Sequence, residues 1–132
     1  MPTFGQNITN NQIIISAGVS NPGLKPGQTY SAIVDTGAQM TMVSAKAIEE
    51  IGLKPVGHMR VMGITGPDTV IKYKASVDIP VSVNNNSVLA SGRDLEVVAM
   101  PQDLGEFDVL LGMDFLSAFH ITMHGNIFIL SI

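Results

Sequence analysis

Residues 32–44 read AIVDTGAQMTMVS, a run that is apolar or uncharged except for Asp35. Apolar residues lead into the aspartate, so it sits where a core strand emerges. Gly37 lets the backbone turn sharply and approach another chain closely. Ala38 keeps that approach uncrowded. Thr36 brings a hydroxyl able to bond nearby backbone and stiffen the turn. The stretch therefore presents a carboxylate on a tight loop at a strand end. An isolated Asp-x-Gly would do no more than cap a turn, so the reading depends on what surrounds it.

On either side the chain reads as short strands. Residues 13–19 (IIISAGV) are β-branched and run into a turn cluster, SNPGLKPGQ. Residues 29–35 form the next strand and 40–43 a short extended piece. Ser44 caps a helix over AKAIEEI, with Gly52 as its stop. HMRVMGI and TVIKYKASVDI flank TGPD as a hairpin with a glycine at its tip. VSV and LEVVAM follow around an NNNS turn, and then the strand FDVLLG. MDFLSAF is a short helix with Asp114 near its start. HITMH and IFILSI close the chain as a hairpin over Gly125-Asn126. Many strands and two short helices make a mostly β domain.

The 132 residues suit one domain with a modest core, and 45% apolar content makes it globular. The net charge of −4, with no basic cluster, argues against nucleic acid or an anionic membrane as partner. With no cysteine there is no disulfide frame, thiolate metal site or cysteine nucleophile. That fits the cytoplasm or another reducing compartment. The first residues lack the pattern of a secretory signal, and no apolar run reaches the ~20 residues of a membrane span. Every Lys, Arg, Asp and Glu falls between Lys25 and Asp114. The uncharged start, residues 1–12, reads as an arm ahead of a domain over 13–132, and the apolar end reads as a buried strand, in its own sheet or against another chain. His120 and His124 share a strand face beside a turn without a third ligand type, so no metal site is expected.

Four stretches in order carry a resemblance. Asp35-Thr36-Gly37-Ala38 resembles the active-site loop of retroviral-type (retropepsin-like) aspartic proteases. VMGITGPDTV (61–70) resembles their flap, FDVLLGMDFL (107–116) the segment where two apolar residues and a glycine precede a short helix, and FHITMHGNIFILSI the closing hairpin of cellular and bacterial relatives. The likeness covers about residues 28–132. It implies an all-β, retropepsin-like acid protease fold with two short helices and one lobe per chain. It also implies an aspartic endopeptidase that uses no cofactor.

In that family two carboxyl groups share a proton and activate a water, since close like charges resist joint ionisation. One carboxylate cannot be acid and base at once. This chain has a single Asp-Thr-Gly, so the resemblance implies a homodimer in which Asp35 of each copy meets at a two-fold axis. How the chain ends pair stays open. Thr36 would reach across to the other loop. Met62, Gly63, Ile64, Thr65 and Gly66 would close over a peptide substrate, and Ile33, Gln39, Val61 and Leu110 would line its cleft. Asp108 and Asp114 would cap or brace. Gln39 and Met113 stand where the retroviral enzymes carry a paired acid and arginine, and are expected to touch as a neutral contact. A catalytically silent domain of the same fold, serving dimerisation or peptide binding, is the other reading these residues allow.

Overall fold

The computed structural model describes residues 3–8, 11–24, 27–63, 66–83, 86–101 and 105–131. Ten strands and two short helices appear in the order β1 (Thr3–Asn7), β2 (Ile14–Ser20), β3 (Gln28–Val34), β4 (Met42–Val43), α1 (Ala45–Ile51), β5 (Lys54–Gly63), β6 (Gly66–Val83), β7 (Asn86–Ala99), β8 (Val109–Leu111), α2 (Met113–Leu116), β9 (His120–His124) and β10 (Ile127–Ser131). They form one sheet in the order β2-β3-β8-β4-β7-β6-β1-β10-β9, with β5 added on β6. β2 also pairs with β6, through Gly18↔Asp78, so the sheet folds back on itself.

Alternation explains which residues go inside. On β2, Ile15, Ala17 and Val19 are buried; on β6, Ala75, Val77 and Ile79 join the core while Ser76 and Asp78 between them are buried too. Val109 and Leu111 of β8, Phe115 and Leu116 of α2, and Phe128 and Leu130 of β10 complete one core. Burying these side chains removes about 25 cal/mol per Å2 of apolar surface from water, the largest favourable contribution to the fold.

Local chemistry sets the ends of α1. The Ser44 hydroxyl accepts from the Ala47 N–H at 3.1 Å, and Gly52 ends the helix at φ 72°, where a side chain would be strained. In the hairpin β5–β6, Gly63 pairs with Gly66. The reversal therefore falls between them rather than at TGPD, and Pro67 and Asp68 are already in the strand. Ile64 and Thr65 lie outside the described residues. β6 runs through Pro80 to Val83 instead of breaking there. Its pairing with β7 shifts register between Val77 and Ile79, an irregularity that bends the strand without ending it. Residues 3–7 of the uncharged start pair with β10, Thr3↔Ser131 to Asn7↔Ile127.

Candidate active site

β3 delivers Asp35. It pairs in parallel with β8, with Ala32↔Val109, Ile33↔Leu110 and Val34↔Leu111 in register. The ladder continues one step beyond the strand, because the Asp35 N–H donates to the Leu111 carbonyl at 3.0 Å. The turn then closes on itself. The Ala38 N–H donates to the Asp35 carbonyl at 3.2 Å, and the Gly37 N–H donates to Asp35 Oδ1 at 2.9 Å. A Cβ at Gly37 would stand 3.2 Å from that oxygen, so glycine lets the carboxylate lie against the backbone. Asp35 is half-buried. Thr36 is exposed, and the bonds holding this turn come from Asp35.

The loop is gripped from behind by α2. The Met113 N–H donates to the Ala38 carbonyl at 2.8 Å and the Asp114 N–H to the Gln39 carbonyl at 3.1 Å. These bonds bring the backbones of Gln39 and Met113 side by side. The Asp114 carboxylate takes both polar hydrogens of Thr41: Oδ2 accepts from the N–H at 3.0 Å and Oδ1 from the hydroxyl at 2.7 Å. Oδ1 also accepts from the Phe115 N–H at 2.8 Å. The Thr41 hydroxyl in turn accepts from the Gly112 N–H at 3.2 Å. Thr41 is fully buried, so each bond satisfies a group that water cannot reach. A Cβ at Gly112 would come within 2.6 Å of the Met40 carbonyl carbon, which is why α2 can approach this closely only with glycine there.

Asp108 braces the other end of β8. Its Oδ1 accepts from the Ser44 hydroxyl at 2.8 Å, and its carbonyl accepts from the Ser44 N–H at 2.8 Å. Ser44 thus joins the start of α1 to the strand that carries Leu111. Farther back, the Tyr30 hydroxyl donates to Glu50 Oε1 at 3.0 Å. Burial and then the neighbouring Glu50 carboxylate push the Tyr30 hydroxyl up to about 12 from its ordinary 10.0.

The expected site residues fall into two groups. Asp35, Thr36, Gly37, Ala38 and Gln39 form one continuous turn, and Ile33 and Leu110 lie side by side beneath it, both half-buried, on the face opposite Ala32 and Val109. Val61, Met62, Gly63 and Gly66 belong to the β5–β6 hairpin. There Met62 is 80% exposed and has no bond beyond its own ladder among the described residues. The Thr41–Asp114 bond was the part least visible in sequence. No local signal pointed to it, because the two residues lie 73 positions apart.

The largest cavity described, about 410 Å3, is lined by Ser44, Lys46, Met100, Pro101 and Asp108. It lies at the end of β8 away from Asp35 and holds none of the expected catalytic groups. The ordering of bonds around Asp35, rather than cavity size, marks the site. Among the described residues no three of His, Asp or Glu gather to hold a metal ion, and no helix is long and apolar enough to cross a membrane.

The comparisons agree with the geometry. A family model described as aspartyl protease matches residues 23–115. The crystal structure of a retropepsin-like aspartic protease from Rickettsia conorii superposes with a TM-score of 0.63 at 16% identity, over 97% of this chain and 89% of that one. EIAV protease in complex with the inhibitor HBY-793 superposes with a TM-score of 0.50 at 13% identity, over 83% and 88%. Among curated protein sequences there is no match. The fold is the all-β, single-lobe retropepsin-like fold.

Proposed function

Because the chain belongs to the aspartyl protease family, we propose that it is an aspartic endopeptidase whose site is shared by two copies of the chain. One observation carries this reading: Asp35 stands half-buried on a turn that is bonded at its backbone and carboxylate and braced from behind by α2. That construction holds a carboxylate in one position, as a group acting on a bound water requires.

Two such loops facing across a two-fold axis supply the two carboxyls. One takes a proton from the water, while the other, protonated, donates to the scissile carbonyl. The exposure of Thr36 supports a bond from each loop to the other. Ile33 and Leu110 offer an apolar wall to side chains beside the cleaved bond, with Gln39 at its polar end. The hairpin from Val61 to Gly66 covers an extended polypeptide and excludes water as it closes. In a lone copy Thr36, Gly37 and Gln39 are exposed, which supports a second copy covering them.

Asp35→Asn tests the assignment. Cleavage of a mixed peptide library between pH 4 and 7 is expected to fall about a thousandfold or more. Activity surviving that substitution would remove Asp35 from the mechanism. Specific activity is also expected to drop on dilution, as the shared site comes apart.

A further inference from the structure

Two cavities adjoin where the turn after β2 lies beside the start of β5. One, about 250 Å3, is lined by Asn21, Pro22, Leu24, Lys54, Val56 and Lys74. The other, about 240 Å3, shares Asn21 and Leu24 and continues to Gln28, Glu50 and Ile51. Each is smaller than the roughly 300–1,000 Å3 of a small-molecule pocket, and two that share a wall suit successive side chains of one extended chain. They lie far from the active-site turn. Gln28 opens β3 and Asp35 follows its end, a span of roughly 20 Å at ~3.3 Å per residue.

Local structure holds the walls in place. The Leu24 N–H donates to the Asn21 carbonyl at 3.0 Å and closes the turn. The Asn21 side-chain nitrogen donates to the Ile51 and Gly52 carbonyls, each at 3.2 Å, and ties that turn to the end of α1. On β5, Pro55 pairs with Tyr73 and Gly57 with Lys72, so Val56 is the extra residue of a bulge. Its side chain is turned out and 47% exposed, and Leu24 is 66% exposed. Apolar surface thus stands in water on two segments that are each fixed.

The rim is cationic. Lys54 and Lys74 stand directly opposite each other in the β5–β6 ladder, where like charges repel. Glu96, opposite Lys74 on β7, is bonded by Lys72 at 2.9 Å. Among the described residues neither Lys54 nor Lys74 has an ion-pair partner. An anion between them would relieve the repulsion, and the apolar wall beside them would take a hydrophobic side chain.

We propose that this groove binds a polypeptide segment in which an acidic residue adjoins an apolar one. The carboxylate lies between Lys54 and Lys74, and the apolar side chain packs on Pro22, Leu24 and Val56. Glu50 at the other end repels acids, so they are accepted at the lysine end alone. The segment belongs to the substrate, a step that rests on the peptidase reading above. It lies at least about six residues from the cleaved bond, since an extended chain needs that many to span the distance to Asp35.

The probe is a short, fluorescently labelled peptide with glutamates beside leucines, titrated against the Asp35→Asn chain and followed by anisotropy. Saturable binding is expected, with a dissociation constant below about 1 mM that rises with salt. Lys54→Gln combined with Lys74→Gln is expected to weaken it at least about tenfold. The urea midpoint of that variant should stay level or rise, because a repulsion has been removed. Leu24→Ser, at an exposed position, should also weaken binding. In the active chain the double lysine variant should cut short peptides as before and show a raised KM only for polypeptides carrying the acid–leucine stretch. Absence of binding, equal binding of a counterpart with lysines for the glutamates, or binding untouched by the double variant would overturn the docking site, whatever the chain cleaves. Binding as expected with KM unchanged, or in a chain that cuts nothing, would keep the docking site and overturn its occupant as substrate.

Discussion

The loop after β3 and the hairpin joining β5 to β6 are both glycine-containing reversals, but they are held very differently. Around the loop, Asp35, Ala38, Gln39 and Thr41 all bond to β8, to α2 or within the turn itself. Among the described residues the hairpin from His58 to Ile71 makes no hydrogen bond or ion pair to another element, and Met62 near its end lies mostly in solvent. One reversal is held by groups distant in sequence, and the other, in its described residues, is not. The proposed function calls for that difference, a carboxylate held in place and a cover that opens, since low local stability is what lets a covering element move.

Removing the brace should do the most to erase the contrast. Asp114→Ala leaves the buried Thr41 N–H and hydroxyl without an acceptor, a loss of about 2–6 kcal/mol at roughly 1–3 kcal/mol per orphaned group. Urea unfolding should show it, and Asp114→Asn, which keeps an acceptor oxygen, should recover part of the loss. Next comes the root of β3. Tyr30 releases its proton near pH 10 in the unfolded chain and near 12 in the folded one, so the fold binds that proton more tightly. The stability this gives is complete below pH 10 and disappears as pH rises to about 12. Tyr30→Phe should flatten the decline in that window, seen as unfolding midpoints that vary less with pH. The smallest effect on stability belongs to the hairpin. Met62→Ser should change unfolding by less than about 0.5 kcal/mol, since the side chain is exposed, while raising KM for peptides. A stability loss as large as that of Asp114→Ala would mean the hairpin is no freer than the loop.

Features set by neighbouring residues were legible in the sequence. Ser44 and Gly52 bound α1 because capping is a matter of a few residues, and Gly125-Asn126 turns β9 into β10 for the same reason. The Asp35 turn was legible from its glycine and its apolar lead-in. Strand extents were less so. Pro55, Gly57 and Pro80 look like breaks, yet β5 and β6 run through them, because an edge or a register shift tolerates a residue that a central regular strand would not. β1 was missed as a strand, since TFGQN is short and half polar and becomes extended only against β10. Asp114 could be read as a bracing residue, but not what it braces: Thr41 lies 73 positions earlier, and no local pattern encodes that distance.

That separation bears on the order in which the protein is made. Beyond the turn's own bonds, the groups that brace Asp35 and its loop belong to Leu111, Met113 and Asp114. While a ribosome is still adding the residues of β6 and β7, the Asp-Thr-Gly turn lacks the partners that brace it from β8 and α2. If the chain is the protease proposed above, cleavage would have to wait until β8 and α2 have emerged and docked on the loop.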